Sequence, residues 1–184
     1  MALQFSEETE AKIQEIVSRY PQNLEDPEKG RLAALLPVLL LAQSEFGWVS
    51  VEVMDYVAER LELNPAQVLS TATFYTMFNK QPVGKCHIQV CTTLSCAFRG
   101  GYELLEELEE RLGIEVGETT TDYNYTLPEV ECLASCGTPP MFQVTYSDGH
   151  IEYFENLGGE QRLNEVLKQL EDKLGTHPDT RSMH

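Results

Sequence analysis

The stretch Gly84–Cys96, GKCHIQVCTTLSC, decides how the chain is read. Cys86, Ile88 and Val90 alternate with His87, Gln89 and Cys91, a period of two that predicts a strand with the first three on one face. Cys91 ends that strand, and Cys96 follows in a loop that leads to a helix from near Gly101. A second segment repeats the arrangement, because a strand through Val130 runs out into Cys132-Leu133-Ala134-Ser135-Cys136. Parallel neighbouring strands bring their C-terminal ends together, where open sheets usually bind ligands, so Cys91, Cys96, Cys132 and Cys136 are expected at one site. Cys86 does not join them. An extended strand rises about 3.3 Å per residue, which sets Cys86 and Cys91 roughly 16 Å apart on opposite faces. Cys86 therefore reads as a buried strand residue.

The same half of the chain continues with a helix carrying Leu104, Leu105, Leu108 and Leu112 inward and stopping at Gly113. A polar loop to Tyr125 precedes the second strand. Pro139-Pro140 forms a turn before a strand from Met141 to Tyr146, and Asp148-Gly149 predicts a type I′ hairpin into Ile151–Phe154. A last helix, Gly159–Leu174, aligns Leu163, Val166, Leu167, Leu170 and Leu174. Strand, helix, three strands and helix describe a small sheet covered by helices.

The first half has a different texture. Ser6 is an N-cap for a helix with Ile13, Ile16, Val17 and Tyr20 inward, ended by Pro21. After the polar stretch Gln22–Lys29, Leu32, Leu35, Leu36, Leu39 and Leu40 form a second apolar stripe, with Pro37 bending it or marking a first turn. Ser50 opens a third helix with Met54, Val57, Ala58 and Leu61 inward, and Asn64-Pro65 opens a fourth toward Phe78. The chain is thus α+β, with a helical bundle over residues 1–80 before the sheet domain at 81–175 and a flexible tail at 176–184.

Composition narrows the function. With 13 Lys and Arg against 30 Asp and Glu among 184 residues, the formal charge is −17, which disfavours nucleic acid and anionic membrane surfaces as partners. An apolar content of 42% suits a soluble globular protein. Met1–Glu10 lacks the basic start of a secretory signal, and the apolar run Leu32–Ala42 is short of the roughly 20 residues of a membrane span. The expectation is a cytoplasmic protein whose five cysteines serve metal or redox chemistry rather than disulfides.

Four thiolates suit zinc or an iron-sulfur cluster. Zinc ribbons favour Cys-x2-Cys knuckles, although spacings up to four residues occur. Dithiol exchange needs Cys-x-x-Cys, which is absent, and a Rieske centre needs two histidines where only His87 lies nearby. The double pattern Cys-x4-Cys and Cys-x3-Cys is much more specific than either pair, and a [2Fe-2S] centre takes four cysteine ligands. A zinc-stabilised module and a thiol-sensing disulfide protein are the other classes the same cysteines admit.

Several blocks then carry a family resemblance: ALLPVLLLAQSEFGWVS at Ala34–Ser50, ATFYTMF at Ala72–Phe78, the stretch Gly84–Cys96, and ECLASCGTPPMFQ at Glu131–Gln143. In order and spacing the chain resembles, over about residues 5–175, the thioredoxin-like [2Fe-2S] ferredoxin subunits of NADH-quinone oxidoreductase, respiratory complex I. The resemblance implies one [2Fe-2S] cluster held by Cys91, Cys96, Cys132 and Cys136 and no catalytic residue turning over NADH on this chain. It implies a thioredoxin-like ferredoxin domain at 81–175 and single-electron exchange with the FMN of a partner NADH-binding flavoprotein subunit. It also implies contacts with other peripheral-arm subunits and a place peripheral to the inner membrane. Related subunits serve NAD-linked hydrogenases and formate dehydrogenases. Two positions depart from the family: Ala134 stands where glycine is usual, and Pro139 where another small residue is. Pro140 occupies the place of the cis-proline common in such folds.

A cluster with four thiolates is doubly negative and gains a further charge on reduction, so a low potential is expected, with backbone N–H groups around Cys91–Cys96, the helix after Gly100-Gly101 and Arg99 as compensation. Neither Gly100-Gly101 nor Gly158-Gly159 forms a G-x-G-x-x-G fingerprint for NADH or flavin. The aromatic run Thr73–Phe78 reads as core, His87 and His150 as surface or strand residues, and Trp48 as packing after the second helix. Glu106, Glu107, Glu109 and Glu110 read as a solvated face, whose charge also suits docking to a basic subunit.

Overall fold

The computed structural model describes residues 3–21 and 27–174. The expected flexible tail at 176–184 lies outside the described residues, as do Met1, Ala2 and residues 22–26. The chain forms two compact units, divided between Pro82 and Val83.

The first unit contains four helices: α1 (Glu7–Ser18), α2 (Pro27–Phe46), α3 (Val51–Leu61) and α4 (Pro65–Phe74). Each start has a local cause. Ser6 Oγ accepts from Thr9 N–H at 3.2 Å and Ser50 Oγ from Val53 N–H at 3.1 Å. Asn64 and Gln67 close a reciprocal capping box with Pro65 in the first turn. The second helix begins at Pro27, earlier than its apolar stripe, because proline and an acidic residue such as Glu28 suit a first turn. It runs through Pro37. Leu35, Val38 and Leu39 are buried on either side of the proline, and that packing outweighs the lost hydrogen bond. The core joins them to Val53, Met54, Val57, Ala58, Leu61, Val68 and Ala72.

The aromatic run Thr73–Phe78, which begins in the last turn of α4, is not the core segment its spacing suggested. Phe74, Tyr75 and Met77 are exposed and only Phe78 is buried. Gln43 of α2 explains this, since its amide donates to Met77 C=O at 3.0 Å and accepts from Asn79 N–H at 2.6 Å. The chain past α4 turns, with Phe78 N–H donating to Tyr75 C=O at 3.3 Å, and Val49 N–H donates to Asn79 C=O at 2.7 Å.

The second unit is a mixed sheet with helices. Its central strand, β1 (Cys86–Cys91), runs parallel to β2 (Tyr125–Thr126) and β3 (Glu129–Val130) and antiparallel to β4 (Phe142–Tyr146), which pairs with β5 (Ile151–Phe154). The single strand expected through Val130 is two short pieces, because Pro128 between them has no N–H to give the ladder. Its carbonyl still accepts from Val90 N–H at 3.0 Å. After β1 come a short helix, α5 (Leu94–Phe98), where a loop was expected, then α6 (Gly101–Leu112), and α7 (Glu160–Leu174) ends the unit. Leu104, Leu105 and Leu108 of α6 and Leu163, Val166 and Leu170 of α7 share a core with Cys86, Ile88, Val90, Phe142 and Val144. The β4–β5 turn also differs from type I′, since within it only Gly149 has a positive φ, +83°. Gly149 N–H donates to Tyr146 C=O at 2.9 Å and Tyr146 N–H to His150 C=O at 2.8 Å, the pattern of a type I turn closed by a glycine bulge.

Candidate metal centre

Two adjacent strand ends build the site. Cys91, the last residue of β1, pairs in parallel register with Val130, the last of β3. Thr92 N–H donates to Val130 C=O at 3.2 Å, holding the two exits side by side. Cys91 Sγ lies 3.3 Å from the carbonyl of Glu131. Cys96 sits within α5, whose first turn is set by Cys96 N–H and Ala97 N–H donating to Thr93 C=O at 2.7 and 3.1 Å. From the other exit, Cys132 and Cys136 meet with their sulfurs 3.9 Å apart.

The four thiols form two unlike pairs. Cys91 and Cys96 are buried against Met141 and Leu133, whereas Cys132 and Cys136 are exposed. Burial pushes the Cys96 thiol up to about 11, helped by the hydrogen bond and charge of Cys91. Cys136 is raised by its hydrogen bond with Cys132 and by that neighbour's charge, with Cys91 adding to the effect. Thiols so crowded cannot all ionise alone, and a bound cation supplies the charge that lets them. Among the described residues no three His, Cys, Asp or Glu side chains close around one point, so the donors come as pairs. A tetrahedral metal with sulfur about 2.3 Å away has S···S edges of about 3.8 Å, which the Cys132–Cys136 pair already matches.

Backbone groups complete the surroundings. Ala134 N–H approaches Cys132 Sγ at 3.4 Å, and the Met141 backbone hydrogen-bonds Cys96. Ala134 belongs to the second cysteine segment, and Met141 directly precedes β4. Ala134 has a left-handed φ of +60°, and the peptide between Pro139 and Pro140 is cis. Gly101, expected only as a helix start, is a close-packing position: a Cβ there would lie 2.9 Å from the Cys96 carbonyl carbon and oxygen and 3.0 Å from Cys91 O. Arg99 is exposed. Cys86 is fully buried, as expected, at the opposite end of β1.

Fold and site together define a thioredoxin-like α+β domain with four cysteines gathered at one end of its sheet. The family model described as thioredoxin-like [2Fe-2S] ferredoxin matches residues 13–178. The chain is 39% identical over 155 residues to the NADH-quinone oxidoreductase subunit designated E in Rickettsia typhi, covering 84% of each chain. It is 40% identical over 171 residues to the same subunit of Rickettsia bellii, covering 92% of this chain and 93% of that one. To the mitochondrial NADH dehydrogenase [ubiquinone] flavoprotein 2 of Dictyostelium discoideum it is 37% identical over 173 residues, 94% of this chain and 65% of that one. In fold it is similar to a chain of an air-oxidised NAD+-reducing [NiFe]-hydrogenase, with a TM-score of 0.62 at 18% identity over 76% of this chain; it spans 23% of that longer chain. The chain belongs to the thioredoxin-like [2Fe-2S] ferredoxin family, so it is an electron-transfer protein and its cofactor is one [2Fe-2S] cluster. The paired thiol donors suit that group.

Proposed function

We propose that Cys91, Cys96, Cys132 and Cys136 hold the cluster, and that the chain is an electron-transfer subunit of an NADH:quinone oxidoreductase, trading single electrons with the FMN of a partner NADH-binding flavoprotein subunit. The observation that carries this is the pairing of thiols at the adjacent exits of parallel β1 and β3. One-electron storage is the chemistry the bound cluster supplies. The chain's own residues do the rest. Met141 and Leu133 keep water from the Cys91–Cys96 side, and the Ala134 N–H stabilises thiolate charge on Cys132. The exposed Cys132–Cys136 edge is the side open to a redox partner. Subunits of the named oxidoreductase among the relatives support the host complex. Among the described residues no helix is long and apolar enough to cross a membrane, which accords with membrane association through that complex.

The test is iron, zinc and acid-labile sulfide per chain on anaerobically purified protein, with EPR spectra before and after dithionite. About two irons and two sulfides per chain, with a paramagnetic signal only after reduction, are expected. Cys96→Ser and Cys136→Ser are each expected to lose most of the iron, while Cys86→Ser keeps it. One zinc per chain without sulfide overturns the cluster assignment. Co-purification with hydrogenase or formate dehydrogenase subunits overturns the host complex.

A further inference from the structure

Glu155 follows directly on β5, and one of its carboxylate oxygens accepts hydrogen bonds from two hydroxyls of the second cysteine segment. Ser135 Oγ donates to Glu155 Oε1, and Thr138 Oγ1 donates to the same atom at 2.6 Å. The hydroxyls are 2.9 Å apart, and Thr138 N–H donates to Ser135 C=O at 3.2 Å, so residues 135–138 form a turn gathered on that carboxylate. Backbone bonds extend the attachment: Asn156 N–H donates to Thr138 C=O and Leu157 N–H to Pro140 C=O, both at 2.9 Å. Cys136 lies inside this turn, directly after Ser135. Cys132 and Cys136 are exposed and belong to no helix or strand, so their placement depends on such ties.

We propose that Glu155 is a positioning residue for the loop bearing Cys132 and Cys136, and that its negative charge also holds down the reduction potential of the cluster. The inference rests on those cysteines being ligands. Two hydroxyl donors keep the carboxyl below the ordinary carboxylate range, so it is ionised at neutral pH. A neutral amide oxygen can accept the same two bonds. What the carboxylate adds is charge, beside a centre that is already negative and becomes more so when it takes an electron from the reductant. That charge disfavours the reduced form more than the oxidised one.

The test uses the full chain with its cluster, comparing Glu155→Gln, Glu155→Ala and Thr138→Val with the parent. The two readouts are EPR-monitored potentiometric titration and amide hydrogen exchange over residues 132–138 of the cluster-free chain. Glu155→Gln keeps the acceptor and removes the charge, so reduction is expected to become roughly fivefold more favourable, a rise of about 40 mV at 59 mV per tenfold, with exchange unchanged. Glu155→Ala is expected to raise the potential and to speed loop exchange several-fold. Thr138→Val is expected to speed exchange while moving the potential far less than Glu155→Gln does, since it removes no charge. An unmoved potential in Glu155→Gln overturns the electrostatic role, and unmoved exchange in Glu155→Ala overturns the positioning role. If the parent chain itself gives no [2Fe-2S] signal, the ligand assignment fails, and the exchange arm still decides whether Glu155 holds the loop.

Discussion

At the scale of single residues, the site is shaped as much by small side chains as by its cysteines. Gly101 begins α6 with no room for a methyl group, since Cys96 and Cys91 backbone atoms lie 2.9–3.0 Å from where a Cβ would sit. Replacing a helical glycine by alanine usually stabilises by roughly 0.5–1 kcal/mol. Here the clash is with backbone that cannot rotate away, and it acts on the residues bearing two thiols. Gly101→Ala is expected to lower iron content and to destabilise the protein by about 1–3 kcal/mol, read as a lower urea midpoint. A variant with full iron and an unchanged midpoint contradicts this packing argument. Ala134 shows the opposite economy, holding a left-handed φ that costs an alanine about 1 kcal/mol and presenting its N–H to Cys132 Sγ. The cysteines and the unusual alanine were legible in the sequence. Gly101 as a packing position and Glu155 as a partner of Ser135 and Thr138 were not, because each depends on an approach between segments that no local pattern encodes.

At the scale of elements, β4, β5 and α7 are joined by a polar contact near the far end of the sheet from the cysteines. Tyr146 of β4 donates its hydroxyl to Glu152 of β5 at 2.7 Å, and Lys173 of α7 donates to the same carboxylate oxygen. Burial alone would raise the Glu152 carboxyl, but the hydrogen bonds from Lys173 and Tyr146 outweigh it and hold it below its ordinary value. Burial likewise pushes the Tyr146 phenol up, aided by the Glu152 charge, so it remains a donor at neutral pH. A carboxyl depressed by folding stabilises the fold above its unfolded value of 4.5, and that stability is lost as pH falls through the lower folded value. Glu152→Gln is expected to cost about 1 kcal/mol near neutral pH, with the gap to the parent closing below pH 4.5 in urea titrations. A gap constant across that range rules out the ionised contact as its source. Helix caps at Ser6, Ser50 and Asn64 and the helical stripes were legible because they are local. The β2–β3 break, the β4–β5 turn type and the exposure of Phe74 to Met77 were not, since they follow from Pro128 meeting a ladder, from a φ choice at Gly149, and from Gln43 reaching across to residues 77–79.

At the scale of the whole molecule, the dominant property is charge. A chain of net charge −17 opposes adding an electron to a thiolate-bound cluster, which argues for a low potential. Salt screens that repulsion, with a Debye length falling from about 30 Å at 0.01 M to about 3 Å at 1 M. The midpoint potential of the full chain is therefore expected to rise with ionic strength. A midpoint independent of salt would assign the potential to local amide contacts and burial alone.

What the sequence determined by itself is whatever its local chemistry encodes: the period-two strand at Cys86–Cys91, the capped helices, the charge, the two cysteine pairs and the family they mark. The tertiary structure alone decided the register that sets Cys91 opposite Val130, that Cys91 and Cys96 are buried while Cys132 and Cys136 are open, and that Glu155 and Gly101 press on their loops. The physical reason is range. Capping, periodicity and turn preference act over a few residues, whereas burial and ligand convergence come from segments far apart in the chain, and only folding brings those together.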